Sequence, residues 1–277
     1  MEIFEVLKVL VLGIVEGFTE WLPISSTGHM ILVEEIIPLH LSEDFKNVFM
    51  VVVQLGAILA VVVLYFHKLN PFSSRKKRSQ KQETLSLWIK IIIACLPAAI
   101  VGLPFDDILD AYLMKSYVVA TTLILYGVLF IVLENHNAHT TFPIQKTSQI
   151  SYQTALFIGL FQLLSLIPGT SRSGSTILGA MILGCSRGAA AEFSFFLGIP
   201  VMFGASLLKI VKFGRMFTGP EIGYLLIGMV TSFIVSILSI KFLLNYVRKN
   251  DFKFFGYYRI ILGVIVFAYF GISALIA

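Results

Sequence analysis

The chain has 277 residues, of which 57% are hydrophobic and 13% are charged, and its mean hydropathy is +0.88. A water-soluble domain needs a polar outer surface, so this composition excludes a soluble protein and predicts an integral membrane protein. The formal net charge of +5 comes from basic residues clustered between apolar segments, without an aromatic–basic module. We therefore expect no nucleic-acid partner.

In chain order, an apolar segment broken by polar residues (6–37) comes first, and three uninterrupted apolar segments follow it. A second broken segment (151–186) and three more uninterrupted segments complete the chain. Uninterrupted segments of about 20 apolar residues match the thickness of a bilayer core. The sequence therefore predicts an all-α polytopic membrane protein with six transmembrane helices, at 48–66, 85–103, 116–134, 191–211, 222–244 and 257–276.

The connections between these segments predict the orientation. The connection 67–84 holds six lysine and arginine residues, the densest basic cluster in the chain. Such loops stay in the cytoplasm. Alternation then places the connection 104–115 outside.

The broken segments 6–37 and 151–186 each contain proline, glycine and a run of hydroxyl residues. Irregular backbone survives at membrane depth only where protein or a water-filled cavity surrounds it. We interpret both as re-entrant helix–loop–helix hairpins, which enter the membrane and return to the same side. The alternative is that their arms are full spans.

The two broken segments are also copies of each other. GIVEGFTEWLPISSTGHMIL begins at Gly13 and GLFQLLSLIPGTSRSGSTIL begins at Gly159, an offset of 146 residues. Each copy is followed by three spans, an odd number, so the second copy is inserted upside down. The sequence thus predicts one membrane domain made of an inverted repeat, with halves 1–134 and 151–277. Such folds place their polar site near the midplane, so the two hairpin tips should meet.

Glu16 and Glu20 are four residues apart, which puts both carboxylates on one helix face. Like charges repel there, and burial in hydrocarbon is costly. A shared Mg²⁺ or Ca²⁺ ion would remove both penalties, since these ions prefer oxygen ligands. The alternative is a pair of glutamates that face an aqueous vestibule.

The first hydroxyl run, Ser25-Ser26-Thr27, precedes Gly28 and His29. Each hydroxyl residue is a plausible N-cap, and a helix N-terminus suits a bound phosphate. His29 lies three residues after Ser26, so on a helix the imidazole can reach that hydroxyl. It could act as a base for a serine nucleophile or as an acid for a leaving group. Simple capping and a structural histidine are the alternatives.

The second hydroxyl run, TSRSGST (170–176), surrounds Arg172 and predicts a site that binds an anion. An arginine inside an apolar hairpin indicates a functional site, and its planar fork matches phosphate oxygens. The alternative is a buried ion pair with Glu16 or Glu20. The predicted substrate-binding residues of both runs are Ser25, Thr27, Gly169, Thr170, Ser171, Ser173 and Gly174.

Three other polar residues in or next to predicted spans have simpler interpretations. Arg187 and Glu192, near the start of a span, are expected to cap helices or form structural pairs. Gln54, inside the first span, is expected to make a hydrogen bond between helices or to line the pocket.

Four segments of the chain resemble the undecaprenyl-diphosphate phosphatase family, the bacitracin-resistance type of bacterial membranes. They are EGFTEWLPISSTGHMIL (16–32), QLGAILAVV (54–62), PGTSRSGSTI (168–177) and AAEFSFFLGIPVMFGAS (190–206). The resemblance implies a metal-dependent hydrolase of the bacterial cytoplasmic membrane, with its active site on the outer face. It would remove the terminal phosphate of a C55 polyprenyl diphosphate, which allows reuse of the lipid carrier. The family's acidic motif matches Glu16 and Glu20, its essential serine matches Ser26, and its histidine and arginine match His29 and Arg172.

The expected mechanism is attack by Ser26 on the terminal phosphate, with His29 taking the proton and water later hydrolysing the phosphoserine. The alternative is direct attack by an activated water. A rival function is a transporter or flippase of the same lipid, because inverted repeats are also a transporter architecture. A homodimer is compatible with the sequence.

Overall fold

The structure is a computed structural model that describes residues 2–214 and 216–276, without the side chains of residues 103, 106, 107, 110, 111 and 273–276. The described part is helical. Its α-helices are α1 (Ile3–Thr19), α2 (Ser26–Ile36), α3 (Glu43–Leu64), α4 (Phe66–Leu69), α5 (Arg78–Leu113), α6 (Ser116–His136), α7 (Tyr152–Leu163), α8 (Arg172–Ile182), α9 (Arg187–Phe213), α10 (Gly219–Val247) and α11 (Lys253–Ile276). Short 3₁₀ turns lie at Thr147–Gln149 and Leu164–Leu166.

Six of the described helices are long and apolar enough to cross a membrane. They cover Glu43–Leu64, Arg78–Gly102, Ser116–His136, Arg187–Phe213, Gly219–Val247 and Lys253–Ile272. Each overlaps one predicted span, so the prediction of a multi-pass helical membrane protein is confirmed.

The predicted connection 104–115 is not a loop over most of its length. Helix α5 continues through it to Leu113, with Pro97 and Pro104 inside the helix. A proline removes one backbone hydrogen bond, and membrane helices tolerate it because neighbouring groups satisfy the freed carbonyl.

The helices of the two broken segments are shorter. Helices α2 and α8 have 11 residues each, which makes each about 16 Å long. A bilayer core is about 30 Å thick, so neither helix can cross it alone. Helix α1 has 17 residues and α7 has 12.

The two halves of the chain use the same helix pairings. Helix α1 packs on α10 of the other half, and α7 packs on α5 of the first half. Glycines at matching positions bring both pairs together: a Cβ at Gly13 would lie 2.8 Å from the Gly228 carbonyl oxygen, and one at Gly159 would lie 2.3 Å from that of Ala94. The pairs α3–α9 and α6–α11 join the halves directly.

Helices α3 and α10 also approach closely, at Gly56, where a Cβ would lie only 2.0 Å from the Met229 carbonyl oxygen. Gly56→Ala must therefore separate two packed backbones. Overpacking costs about 1–3 kcal/mol, against about 1 kcal/mol gained in helix propensity. We expect a lower midpoint of thermal unfolding in detergent. The control is Gly188→Ala in α9, since nothing lies within 4 Å of a Cβ there. A Gly56→Ala midpoint at or above that of the control would contradict the close packing.

Candidate active site

The polar loop that follows α1 and the polar loop that precedes α8 lie in contact. Arg172 Nη2 donates to Glu20 Oε1 at 2.9 Å. Ser173 Oγ lies 3.1 Å from the Glu20 carbonyl oxygen and 3.2 Å from that of Leu22. The predicted meeting of the two motifs is therefore confirmed.

Both loops end in a serine that caps the N-terminus of the next helix in the same way. Ser25 caps α2 and Ser171 caps α8, with φ of 73° and 74°. Their hydroxyls accept from the Gly28 N–H at 3.3 Å and from the Gly174 N–H at 3.1 Å. Among the described residues, these two are the only non-glycine residues with positive φ. Such a conformation costs on the order of 1–3 kcal/mol and clusters at functional sites.

Glu20, Ser26 and Arg172 form a buried hydrogen-bonded group. Ser26 Oγ donates to Glu20 Oε2 at 2.5 Å, while Arg172 holds the other oxygen of the same carboxylate. Arg172 Nη1 also donates to the Ser194 carbonyl oxygen at 2.7 Å, and its guanidinium lies 5.7 Å from the centre of the Trp21 ring. The ion pair that the sequence left open is thus present. Arg172 Nε is buried and has no partner among the described residues, so one donor remains unused.

Glu16 lies beside this group and is 1% exposed. Its Oε1 is buried and has no hydrogen-bond partner in the described part of the chain. The carboxylate lines a cavity of about 720 Å³, together with Thr27 and Gln162. Leaving a buried carboxylate oxygen unsatisfied is costly.

The residues present fit a hard cation held by few protein ligands. No cluster of three or more His, Cys, Asp or Glu residues that could hold a metal occurs in the described chain. Glu16 and Glu20 are the two carboxylates of the first motif, and Mg²⁺ is typically bound by one or two carboxylates plus substrate phosphates. The donor set therefore suits an ion shared with a phosphorylated substrate rather than a closed structural site.

His29 makes no hydrogen bond to Ser26 in the described site, so the hydrogen bond expected between them is absent from the structure. His29 Nδ1 lies 2.7 Å from the Ser25 carbonyl oxygen, and Nε2 lies 2.7 Å from the Tyr258 hydroxyl. Both ring nitrogens are thus engaged. Spacing along one helix showed only that the imidazole could reach Ser26. The loop after α1 brings Glu20 to that hydroxyl instead.

Arg259 of α11 ties the two loops together and was not predicted from the sequence. It is fully buried, and its Nη1 donates to the Pro23 carbonyl oxygen at 3.1 Å. Its Nη2 donates to the carbonyl oxygens of Gly169 at 2.8 Å and Thr170 at 2.9 Å. A single guanidinium therefore joins the loop of the first motif to the loop of the second.

The other predicted binding residues lie in or next to the same two polar loops. Thr27 is exposed to the cavity, whereas Thr170 and Ser173 are buried. Ser171 Oγ lies 3.1 Å from Ser173 Oγ. Gly169 has φ of +84°, and a Cβ there would lie 2.2 Å from Thr122 Oγ1, so the loop requires glycine.

Three polar residues outside the two motifs lie in environments that the sequence predicted. Arg187 pairs with the buried Glu134, with Nε donating to Oε1 at 2.8 Å. Glu192 pairs with Lys68 and accepts from the Thr147 hydroxyl. Gln54 lines the cavity, the second of its two expected placements.

Comparison with known proteins identifies the family. The family model described as "Bacitracin resistance protein BacA" matches residues 9–265. The chain belongs to the BacA family. The matched range includes every residue of the site, from Glu16 to Arg259.

Several curated BacA-like relatives are similar over their full length. The chain is 59% identical over 277 residues to "Undecaprenyl-diphosphatase" of Desulfitobacterium hafniense, which covers 100% of both chains. It is 60% identical over 270 residues to the protein of the same name from Lachnoclostridium phytofermentans, covering 98% of each chain. It is 58% identical over 268 residues to that of Enterococcus faecalis, covering 96% of this chain and 97% of the relative.

One sequence signal could have located Arg259 in this BacA-family chain. Arg259 lies inside the predicted span 257–276, where an arginine is as unusual as Arg172 is in its hairpin. The criterion of an arginine inside an apolar segment would have selected Arg259 as well as Arg172.

Proposed function

We propose that this BacA-family protein hydrolyses undecaprenyl diphosphate to undecaprenyl phosphate and inorganic phosphate. Relatives 58–60% identical to it carry the name undecaprenyl-diphosphatase. The observation that carries the proposal is the buried contact of Ser26 and Arg172 with one carboxylate, that of Glu20. A nucleophile, a proton acceptor and a cation for phosphate meet there. The product lipid carrier would be recycled for peptidoglycan synthesis, with bacitracin resistance as a consequence.

In the proposed reaction, Ser26 Oγ attacks the terminal phosphorus of the diphosphate. Its proton passes to Glu20 Oε2, which already accepts the hydroxyl hydrogen bond at 2.5 Å. The bond from that phosphorus to the bridging oxygen breaks, and undecaprenyl phosphate leaves. Water then hydrolyses the phosphoserine, releases inorganic phosphate and restores the hydroxyl. The alternative is attack by a water that Glu20 or Glu16 activates, with Ser26 as a phosphate ligand.

The terminal phosphate would be held by Arg172 and by the starts of α2 and α8. The first N–H groups of a helix have no partner within it and attract anions. Arg172 can add its unused Nε donor and can exchange Glu20 for a phosphate oxygen. The hydroxyl and glycine residues of both loops complete this cradle: Ser25, Thr27, Gly169, Thr170, Ser171, Ser173 and Gly174.

Glu16 and Glu20 would hold the divalent ion, Mg²⁺ or Ca²⁺. The unpartnered buried oxygen of Glu16, a residue that lines the cavity, supports this role. When bound, the ion supplies positive charge that offsets the negative charge of the diphosphate during phosphoryl transfer. Glu16 would be its main anchor, and Glu20 would take the Ser26 proton on Oε2.

We also propose that both polar loops are the tips of re-entrant hairpins in an inverted repeat of 1–134 and 151–277. The shortness of α2 and α8, their identical serine caps and the matching pairs α1–α10 and α7–α5 support this arrangement. The basic connection 67–84 supports an orientation in which the first hairpin enters from outside. The site would then face the extracytoplasmic side. Apolar walls of the cavity, such as Met30 and Met50, suit the start of the prenyl chain.

The second candidate is a transporter or flippase of the same lipid. The matching packing of the two halves favours it, because alternating access is commonly built on inverted repeats. Hydrolysis accounts better for the Glu20–Ser26 hydrogen bond and the unpartnered Glu16 oxygen, which a pure carrier does not need.

The deciding experiment is phosphate release from a polyprenyl diphosphate of C55 or shorter by detergent-purified protein, with Mg²⁺, Ca²⁺ or EDTA. We expect metal-dependent release, and a higher metal concentration for half-maximal rate in Glu16→Gln. Glu35→Gln is the control, since Glu35 is an exposed carboxylate of the same cavity. Folded protein that binds the lipid but releases no phosphate with any metal would refute the hydrolase and favour the carrier.

A further inference from the structure

Tyr258 of α11 is joined through His29 to the loop that precedes α2. Its hydroxyl oxygen lies 2.7 Å from His29 Nε2. The two rings are stacked, with centroids 5.6 Å apart and an interplanar angle of 4°. On its other side, His29 Nδ1 lies 2.7 Å from the carbonyl oxygen of Ser25, the residue before Ser26. Tyr258, His29 and Ser25 thus form a continuous chain of hydrogen bonds.

The direction of these hydrogen bonds follows from the groups involved. A carbonyl oxygen can only accept, so Nδ1 of His29 carries a proton and donates to Ser25. In the neutral imidazole, Nε2 then has a lone pair and accepts the Tyr258 hydroxyl proton. The Ser25 carbonyl therefore fixes the tautomer in which Nδ1 is the donor, and the Tyr258 hydroxyl holds the ring in place by donating to Nε2.

The Ser25 carbonyl belongs to a strained turn. Ser25 has φ of 73°, which a non-glycine residue keeps only where its surroundings hold it. Helix α11 supports this turn on both sides with adjacent residues. Arg259 binds the Pro23 carbonyl oxygen at 3.1 Å, and Tyr258 acts through His29 on that of Ser25.

We propose that Tyr258 is a positioning residue for the reaction: it holds the His29 ring against the Ser25 carbonyl, and the hydrogen bond from Nδ1 fixes that carbonyl and thereby aims the Ser26 hydroxyl at Glu20. This inference rests on the proposed hydrolase function of the site. It gives His29 a supporting role through the backbone, in agreement with the absence of a hydrogen bond from His29 to Ser26 in the described site.

The tyrosine hydroxyl can be removed without removing the ring. Tyr258→Phe keeps the stacking on His29 and deletes only the hydrogen bond to Nε2. Tyr257→Phe is the matched control, since Tyr257 is the neighbouring tyrosine, is 55% exposed and makes no hydrogen bond in the described structure. We expect kcat of Tyr258→Phe to fall about three- to tenfold, as for one lost hydrogen bond, with KM changed by less than about twofold. The control should match wild type. An unchanged kcat in Tyr258→Phe would overturn the proposal.

A double-mutant cycle tests whether Tyr258 acts through His29. We expect His29→Ala and Tyr258→Phe/His29→Ala to have the same kcat, because the hydroxyl has no partner to hold once the imidazole is gone. Fully additive effects would overturn the proposed route. The same cycle with Tyr257→Phe should give no coupling.

The Nε2 resonance of His29 gives a readout that does not depend on catalysis. In protein with ¹⁵N-labelled histidine, the His29 resonances are assigned by their loss in His29→Ala. We expect the same Nε2 resonance in wild type and in Tyr257→Phe, and a shifted one in Tyr258→Phe, where the lone pair of Nε2 has lost its hydrogen bond. An Nε2 resonance that is unchanged in Tyr258→Phe would refute the positioning role. If wild type released no phosphate, the hydrolase proposal would fail, whereas this spectrum would still decide whether Tyr258 sets the state of His29.

Discussion

Replacing Arg172 by alanine is expected to lower kcat/KM for polyprenyl diphosphate hydrolysis by about 10²- to 10³-fold, the range found when a donor to developing negative charge is removed. Arg172 reaches the meeting point of the two loops through its contact with Glu20, and its Nε has no partner among the described residues. Its loss removes a phosphate ligand and leaves Glu20 without its counter-charge. Phosphate release by purified protein, over a range of substrate concentrations, measures the effect.

Two further variants separate the catalytic loss from a folding defect. Arg172→Lys keeps the positive charge but loses the planar fork, so we expect intermediate activity and near-normal thermal stability. Arg75→Ala removes an exposed arginine from the connection before α5 and should match wild type. If Arg172→Ala retained activity within a few-fold of Arg75→Ala, Arg172 would not be a phosphate ligand.

Replacing Ser26 by alanine is expected to lower kcat by at least about 10³-fold if Ser26 is the nucleophile. If water attacks directly, Ser26 contributes only a hydrogen bond, and the loss should be roughly tenfold. The two routes therefore differ in the loss of kcat expected for Ser26→Ala. Ser232→Ala is the matched control, because the Ser232 hydroxyl is buried in α10 and has no partner among the described residues.

The intermediate itself gives a second test of the serine route. Quenching a reaction with substrate labelled in its terminal phosphate should leave label on Ser26 in wild type and none in Ser26→Ala. Glu20→Gln should slow its formation, because the amide cannot take the hydroxyl proton. Inversion at phosphorus in a single step, with solvent oxygen in the released phosphate, would refute the phosphoserine.

The sequence contained enough information to locate the site because its polar residues stand out against an apolar background. Arg172 and the pair Glu16 and Glu20 are costly inside a membrane, so their presence indicates a shared polar site. The internal match between the two motifs then predicted that they meet. The hydrogen bonds from Arg172 and Ser173 to the loop of Glu20 agree with that prediction.

The pairing of individual groups was harder to predict. Spacing on α2 suggested that His29 would serve Ser26, but spacing describes only one helix. The acceptor for Ser26 comes from the loop after α1, and the second partner of His29 comes from α11, at the far end of the chain. The partners of Arg259 could not be predicted for a related reason, since they are backbone carbonyls, which every residue has.

The sequence by itself determined the class of this protein, its six spans and the two polar motifs that form its site, because hydrophobicity and the cost of buried charge are local properties of a chain. Only the tertiary structure decided that Glu20 accepts the hydrogen bond of the Ser26 hydroxyl, that Glu16 keeps an unpartnered oxygen and that α11 contacts both loops. Those outcomes depend on distances of about 3 Å between residues far apart in the chain. Helix packing sets such distances, and no spacing within one segment contains them.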